Sequence, residues 1–238
     1  MVAPDVELIV SCEHGGNEVP PPYGEFFLRA QKLLLTHRGY DPGALELARE
    51  FAQALGCALF FSTVSRLLVE LNRSPGHPQL FSRYVPPEAR GELFARYYRP
   101  YRDAVERAVA EALGRGRRVV HLSCHSFTPR LAGARRLADV GLLYDPRHPG
   151  EAALCGAWQL DLRRREPQLC VRRNYPYRGW ADALTTSLRA RFGAERYLGI
   201  EVEVNQKYPR ANGGRWRALR RSLVESFIER RAAGPATA

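Results

Sequence analysis

Val10-Ser11-Cys12-Glu13-His14-Gly15-Gly16-Asn17-Glu18-Val19-Pro20 decides how the rest of the chain is read. The apolar run at residues 6–10 that feeds it is short enough to be a buried strand. Two glycines and the prolines that begin at Pro20 then break the pattern, so the strand ends where His14 stands. Open α/β sheets bind ligands at the carboxyl ends of their strands. A histidine flanked by Glu13, Asn17 and Glu18, on backbone freed by glycine, carries the donors a cation needs at such a place. Taken alone, it reads more simply as a polar turn with one solvated histidine. Partners elsewhere in the chain decide between the two.

The second such segment is His121-Leu122-Ser123-Cys124-His125-Ser126-Phe127-Thr128-Pro129. Alternation puts His121, Ser123 and His125 on one face of a strand, with His125 at its end before the Thr-Pro stop. Neutral imidazole is the commonest zinc ligand, and a second histidine at a second strand end favours a ligand role for His125. His121 lies deeper and suits a supporting role. The third segment is Tyr197-Leu198-Gly199-Ile200-Glu201-Val202-Glu203-Val204-Asn205-Gln206. Glu201 and Glu203 share one face of an otherwise buried strand, which is costly unless they are paired, hydrogen-bonded or near a cation.

Between these segments, residues 23–35 have helical spacing, and residues 36–43 form a turn cluster in which Asp41 suits capping of a helix over 43–55, or facing the site. Residues 58–64 are strand-like, and residues 67–71 are read as another strand with Asn72 and Arg73 at its end. Such a pair can hold a carboxylate, the guanidinium forking onto both oxygens while the amide adds a donor. Residues 88–114 are a long amphipathic helical region whose aromatic stripe is core rather than a base-stacking platform. Residues 151–162 and 216–231 are helical, 139–144 and 169–172 are strands, and 185–192 is a strand or helix edge. The aromatic loop 174–180 is rigid enough to cover a pocket.

The chain has 238 residues and no repeat or linker that would split it, which points to one α/β domain over 1–232 with a disordered tail at 233–238. A formal charge of +11 comes almost wholly from arginine. Those arginines are scattered along helices and turns, with no nucleic-acid module beside them, and a basic surface also attracts small acidic substrates, so charge alone does not decide between the two. The five cysteines are widely spaced and form no CxxC pair, which fits reduced thiols and a cytoplasmic protein. No stretch has the roughly 18 apolar residues of a membrane span, and no signal peptide opens the chain.

Together these segments resemble the N-formylglutamate amidohydrolase (N-formylglutamate deformylase-like) family. The resemblance covers most of the chain. It rests on Ser11-Cys-Glu-His-Gly-Gly-Asn17, His37-Arg-Gly-Tyr-Asp41, Val64-Ser-Arg-Leu-Leu68 with Leu71-Asn-Arg-Ser74, the His121–Pro129 segment and Leu198–Gln206, all in the same order. It implies a fold related to zinc carboxypeptidases and aspartoacylases (the phosphorylase-hydrolase-like group), a mixed central β-sheet flanked by helices. By the same likeness His14 and His125 would hold one divalent metal ion, zinc by default. Asn72 and Arg73 would bind the substrate carboxylate, with Arg66 a further candidate, and Glu203 would be the general base. The chain departs from the pattern at the third ligand: the residue three after His14 is Asn17, so Glu18 and Asp41 remain the candidates, Asp41 preferred. Glu70 also replaces an expected Asp.

The expected activity is metal-dependent hydrolysis of a small N-acyl acidic amino acid, N-formyl-L-glutamate giving formate and L-glutamate. The alternatives are a deacylase or carboxypeptidase-like hydrolase of another acyl-amino acid or γ-glutamyl peptide, and a non-catalytic basic binding protein on the same scaffold.

Overall fold

Short β-branched and leucine-rich runs broken by glycine and proline give strands, and longer amphipathic runs between them give helices, so the chain alternates the two. The computed structural model describes residues 6–211 and 213–232. In order, these are β1 (Val6–Cys12), a 3-10 segment (Pro21–Phe27), α1 (Gln31–Leu34), α2 (Ala44–Leu55) and β2 (Ala58–Phe61). Helix α3 (Pro87–Leu93) runs through a π-helical stretch (Phe94–Tyr98) into α4 (Arg99–Gly114), and β3 (Arg118–Phe127) follows. Then come a small hairpin, β4 (Arg130–Leu131) and β5 (Ala134–Arg135), and the strand β6 (Val140–Leu143). The chain continues through α5 (Pro149–Arg165), β7 (Val171–Arg173), α6 (Leu184–Phe192), β8 (Tyr197–Asn205), α7 (Lys207–Arg210) and α8 (Gly214–Ala232). The expected tail at 233–238 lies outside the described residues.

Six strands form one mixed sheet in the order β2-β1-β3-β8-β6-β7. The strands from β2 to β8 are parallel, β6 runs antiparallel to β8, and β7 is parallel to β6. The chain leaves β1 toward β2 on one side and leaves β3 toward β6 on the other. Their carboxyl ends therefore flank a crevice where the connections part, the usual place for a ligand in such a sheet.

The two faces of the sheet differ in chemistry. Even-numbered positions of β1, β3 and β8 (Leu8, Val10, Cys12, Leu122, Cys124, Ile200, Val202, Val204) are apolar and pack under α2, α5 and α8, around Phe51, Trp158 and Phe227. Each such large side chain contributes about 1.5–3 kcal/mol by leaving water. Cys12 and Cys124 are thus small core hydrophobes. The odd face begins apolar, with Ile9, Val119 and Tyr197 under α4 and α6. Toward the carboxyl ends it turns polar, with Ser11, His121, Ser123, His125, Glu201 and Glu203 all buried. Alternation alone therefore gathers the chemistry on one face.

Several expectations are corrected. Residues 67–71 are turns, not a strand; their apolar side chains serve small cores beside α3 and α4 instead. A short buried apolar run does not distinguish the two by periodicity. Residues 23–35 break into the 3-10 segment and α1 rather than one helix, and 185–192 belongs to helix α6. Asp41 does not cap α2 with its side chain: Gly43 holds the N-cap at φ 82°, a conformation suited to glycine, and a Cβ there would also meet Pro209 at 2.6 Å. Asp41 contributes only its carbonyl to Ala44 N–H, at 3.1 Å, which leaves its carboxylate for the site. Among the described residues no helix is long and apolar enough to cross a membrane.

Candidate metal centre and active site

The strand ends and the loop 36–43 meet at the crevice. The amide of Asp41 donates to the carbonyl of His14 at 2.9 Å, and the loop's Gly39 carbonyl accepts from Ser65 Oγ at 2.9 Å and Arg66 N–H at 3.1 Å. Those backbone bonds seat Asp41 between the two strand-end histidines. Its Oδ2 stands 3.1 Å from His14 Nδ1 and 2.9 Å from His125 Nδ1. One ligand atom from each of His14, Asp41 and His125 lies within 4.8 Å of the others, and all three residues are buried. Ligand atoms around a tetrahedral zinc stand about 3.3 Å apart, so this nitrogen-nitrogen-oxygen set fits such an ion.

Glu18 stands apart. The Gly15-Gly16 turn runs along the end of β2, with Gly15 N–H on Ser62 O and Glu18 N–H on Thr63 O, and the Glu18 carboxylate accepts from Thr63 Oγ at 2.7 Å. The structure brings Asp41, not Glu18, beside the histidines.

Two further carboxylates touch the histidines, Glu70 from the cavity wall and Glu13 from the buried side. Glu70 meets His14 Nε2 and accepts from Arg66 Nε at 2.7 Å, while Arg66 Nη1 reaches Asp41 at 3.3 Å. Arg66 is thereby committed to the site's own carboxylates. Glu13 is 3.0 Å from His125 Nε2. Burial pushes the carboxyls of Glu13, Asp41 and Glu70 up, but the facing cations outweigh it and hold all three well below the usual range: His125 for Glu13, His14 for Asp41, Arg66 for Glu70. The histidines move the other way. Burial, and for His14 also Arg66, lowers their pKa, yet Glu70 and Asp41 raise His14 overall, and Asp41 and Glu13 raise His125 well above 6.5. His121, bonded to Ser11 Oγ at 2.8 Å and Tyr197 OH at 2.6 Å, is held neutral by burial, at about 4.

These shifts have a consequence for stability. A histidine whose folded pKa lies above its unfolded value stabilises the fold at low pH and loses that contribution as pH rises through the folded value. Chelator-treated protein should therefore lose up to about 1.4 kcal/mol per histidine for each pH unit between the unfolded and folded values. Its Tm, followed upward from pH 6.5, should fall. A chelated Tm that rises over that range contradicts this charge balance.

In the parallel register His125 sits opposite Glu203 and Ser123 opposite Glu201. Glu203 is therefore carried to the His14-Asp41-His125 cluster by pairing alone. Its Oε2 is buried and, among the described residues, without a hydrogen-bond partner, and burial pushes the carboxyl up to about 8, Asp41 and Glu201 adding to the rise against His125 and Arg66. Glu201 accepts from Thr185 Oγ at 3.3 Å and Asn72 Nδ2 at 3.5 Å. Asn72 is held in turn by the amide of Leu184 at 2.7 Å, and Arg73 uses one N–H on the Asp182 carbonyl.

A cavity of about 590 Å³ opens over the cluster, lined by His14, Asp41, His125, Glu201 and Glu203 below and by Arg38, Arg66, Arg73, Arg83 and Arg178 toward its mouth. The aromatic loop 174–180 supplies Tyr177 and Arg178 to this wall. It fits closely against β6 because Gly141 leaves room: a Cβ there would lie 2.0 Å from the Tyr175 carbonyl. A buried ion pair, Arg189 Nε to Glu151 Oε1 at 2.7 Å, supports it from beneath, with Arg189 Nη1 on the Gly179 carbonyl at 2.8 Å. The sequence offers Glu13 only as one of the donors around His14, gives Glu70 and Ser123 no role, and places Tyr101 in a core stripe rather than against Glu13. For Glu13 a signal existed: it continues the odd face of Ile9 and Ser11.

Fold and cluster together define an α/β protein whose polar sheet face ends in a cleft holding a buried His-Asp-His group compatible with a metal ion. The chain belongs to the N-formylglutamate amidohydrolase family, whose model matches residues 6–208, and is thus a hydrolase of that family. Its structure is similar to the crystal structure of gene product Atu2144 from Agrobacterium tumefaciens, with TM-score 0.78 and 28% identity over 98% of this chain and 92% of that one. It is also similar to an N-formylglutamate amidohydrolase from Ralstonia eutropha JMP134, with TM-score 0.69 and 21% identity over 98% and 96% of the two chains. A likeness to a metallo-carboxypeptidase from Burkholderia cenocepacia, TM-score 0.39 and 12% identity over 97% and 57%, is too remote to bear on the site. None of the curated proteins compared with the chain matches it.

Proposed function

We propose that the chain hydrolyses the amide of a small N-acyl acidic amino acid, N-formyl-L-glutamate foremost, giving formate and L-glutamate. The observation that carries this reading is Glu203, a buried carboxylate with an unpartnered oxygen, beside a His-Asp-His cluster and beneath a rim of arginines. His14, Asp41 and His125 would hold one divalent cation, zinc by the character of the donors. When bound, that ion supplies Lewis acidity toward the acyl carbonyl and lowers the pKa of water.

The chain's own groups do the rest. Glu203 takes a proton from the attacking water and returns it to the nitrogen as the C–N bond breaks. A carboxyl pushed up to about 8 by burial is suited to holding that proton in between. Arg66 and Glu70 keep His14 and Asp41 in place. Asn72, with its carbonyl fixed by the Leu184 amide, orients groups at the cleft floor. No carboxylate among the described residues pairs with Arg38, Arg73 or Arg178, so these guanidiniums are available to the substrate's carboxylates at the mouth. The widely spaced free cysteines suit the cytoplasmic setting this reading assumes.

The test is formate release from N-formyl-L-glutamate by zinc-loaded protein, compared with N-formyl-L-leucine, which should be the poorer substrate. Arg73→Ala should lower kcat/KM for N-formyl-L-glutamate by about 10- to 100-fold, chiefly through KM, the worth of a charged hydrogen-bonded pair. An unchanged kcat/KM removes Arg73 from substrate binding. No formate from any N-formyl amino acid overturns the activity.

A further inference from the structure

Of the two ligand histidines, His125 is held from behind by a buried chain that the hydrolysis does not use. Its Nδ1 faces Asp41, while Nε2, across the ring, lies 3.0 Å from Glu13 Oε2 and 2.9 Å from Ser123 Oγ. The Ser123 hydroxyl donates to Glu13 Oε2 at 2.6 Å, and the Tyr101 hydroxyl, from α4, donates to Glu13 Oε1 at 2.8 Å. Glu13 is 1% exposed and lines no part of the cavity, so it has no route to substrate. A fully buried carboxylate is costly to keep, and each contact it makes is directed either at His125 or at a donor that fixes its own orientation.

We propose that Glu13 is the positioning residue of His125: it accepts the Nε2 proton and so fixes the tautomer whose Nδ1 lone pair faces Asp41, and Tyr101 on α4 sets the grip. Cation retention is then governed from α4, a helix that contributes nothing to the cleft wall. Carboxylate partners of ligating histidines orient the ring and raise its basicity in this way. The inference rests on the reading of His14, Asp41 and His125 as a metal site.

The experiment titrates Zn²⁺ alone into chelated protein against a chromophoric competitor, and records the visible spectrum of the Co²⁺ form. Glu13→Gln should weaken zinc affinity by about 10- to 100-fold and alter the cobalt bands. Tyr101→Phe should weaken it less, in the same direction. Tyr197→Phe, which removes the partner of His121 on the same buried face without touching Glu13, should leave affinity unchanged. Unchanged affinity in Glu13→Gln overturns the proposal, as does an equal loss in Tyr197→Phe, which would reflect packing alone. If Glu13→Gln does not fold, Tyr101→Phe decides, and unchanged affinity there overturns it. A wild-type protein that binds no zinc overturns the metal reading itself, and this inference falls with it.

Discussion

Glu203→Gln should lower kcat by about 10²- to 10⁴-fold, the range in which a positioned general base contributes. The change is nearly isosteric, and Oε2 has no hydrogen-bond partner among the described residues to lose. The fold should therefore keep its zinc, and KM should move little. Stability gives an independent check. A carboxyl raised by burial from 4.5 to about 8 destabilises the folded state at any pH above its unfolded value, where the unfolded chain ionises freely and the buried group resists. Removing the ionisable group relieves that penalty, so the variant should melt at or above the wild-type Tm at neutral pH. High stability joined to lost turnover is the signature of a strained catalytic group. A variant with normal kcat would take the base role from Glu203. One that loses both zinc and Tm would make the residue structural.

What could be read from the sequence follows the range over which each force acts. Strand alternation is local, so β1, β3 and β8, the shared face of His121 and His125, and the Glu201–Glu203 pair are all legible in the sequence. Placement at a strand end is also local, which is why His14 and His125 stood out. The segment at 67–71 misled because burial without periodicity looks alike in a strand and in a buried turn; only the satellite cores beside α3 and α4 explain its leucines. The carboxylates behind the histidines were harder still. Glu13 meets Ser123 across 110 residues, a separation that the parallel register of β1 and β3 closes, and Glu70 meets His14 across 56 from a turn that no register places. Arg66 shows the same limit from the other side. Its residue type suited a substrate carboxylate, but Glu70 and Asp41 already occupy its fork.

The third ligand is where spacing and folding disagree most, and the largest expected effect tests it. Asp41→Asn should weaken zinc binding by about 10²-fold or more, one ligand's share of a tight site, and bring turnover below detection. It should also lower Tm, because His14, His125 and Arg66 all lose a buried counter-charge, and breaking such a pair costs about 3–5 kcal/mol. Glu18→Gln should do none of this. Its carboxylate ends on the Thr63 hydroxyl at an exposed turn, so zinc affinity, kcat and Tm should all stay near wild type, within about 0.5 kcal/mol in stability. The pair is informative even if Asp41→Asn is too unstable to titrate. Zinc lost from Glu18→Gln would mean that the Gly15-Gly16 turn rearranges on binding to bring Glu18 inward, with Asp41 left to orient the histidines. Zinc retained by Glu18→Gln and lost from Asp41→Asn assigns the ligand to the loop that hydrogen-bonds the His14 carbonyl. The backbone contact between Asp41 and His14, rather than the distance along the chain, then sets the geometry of the site.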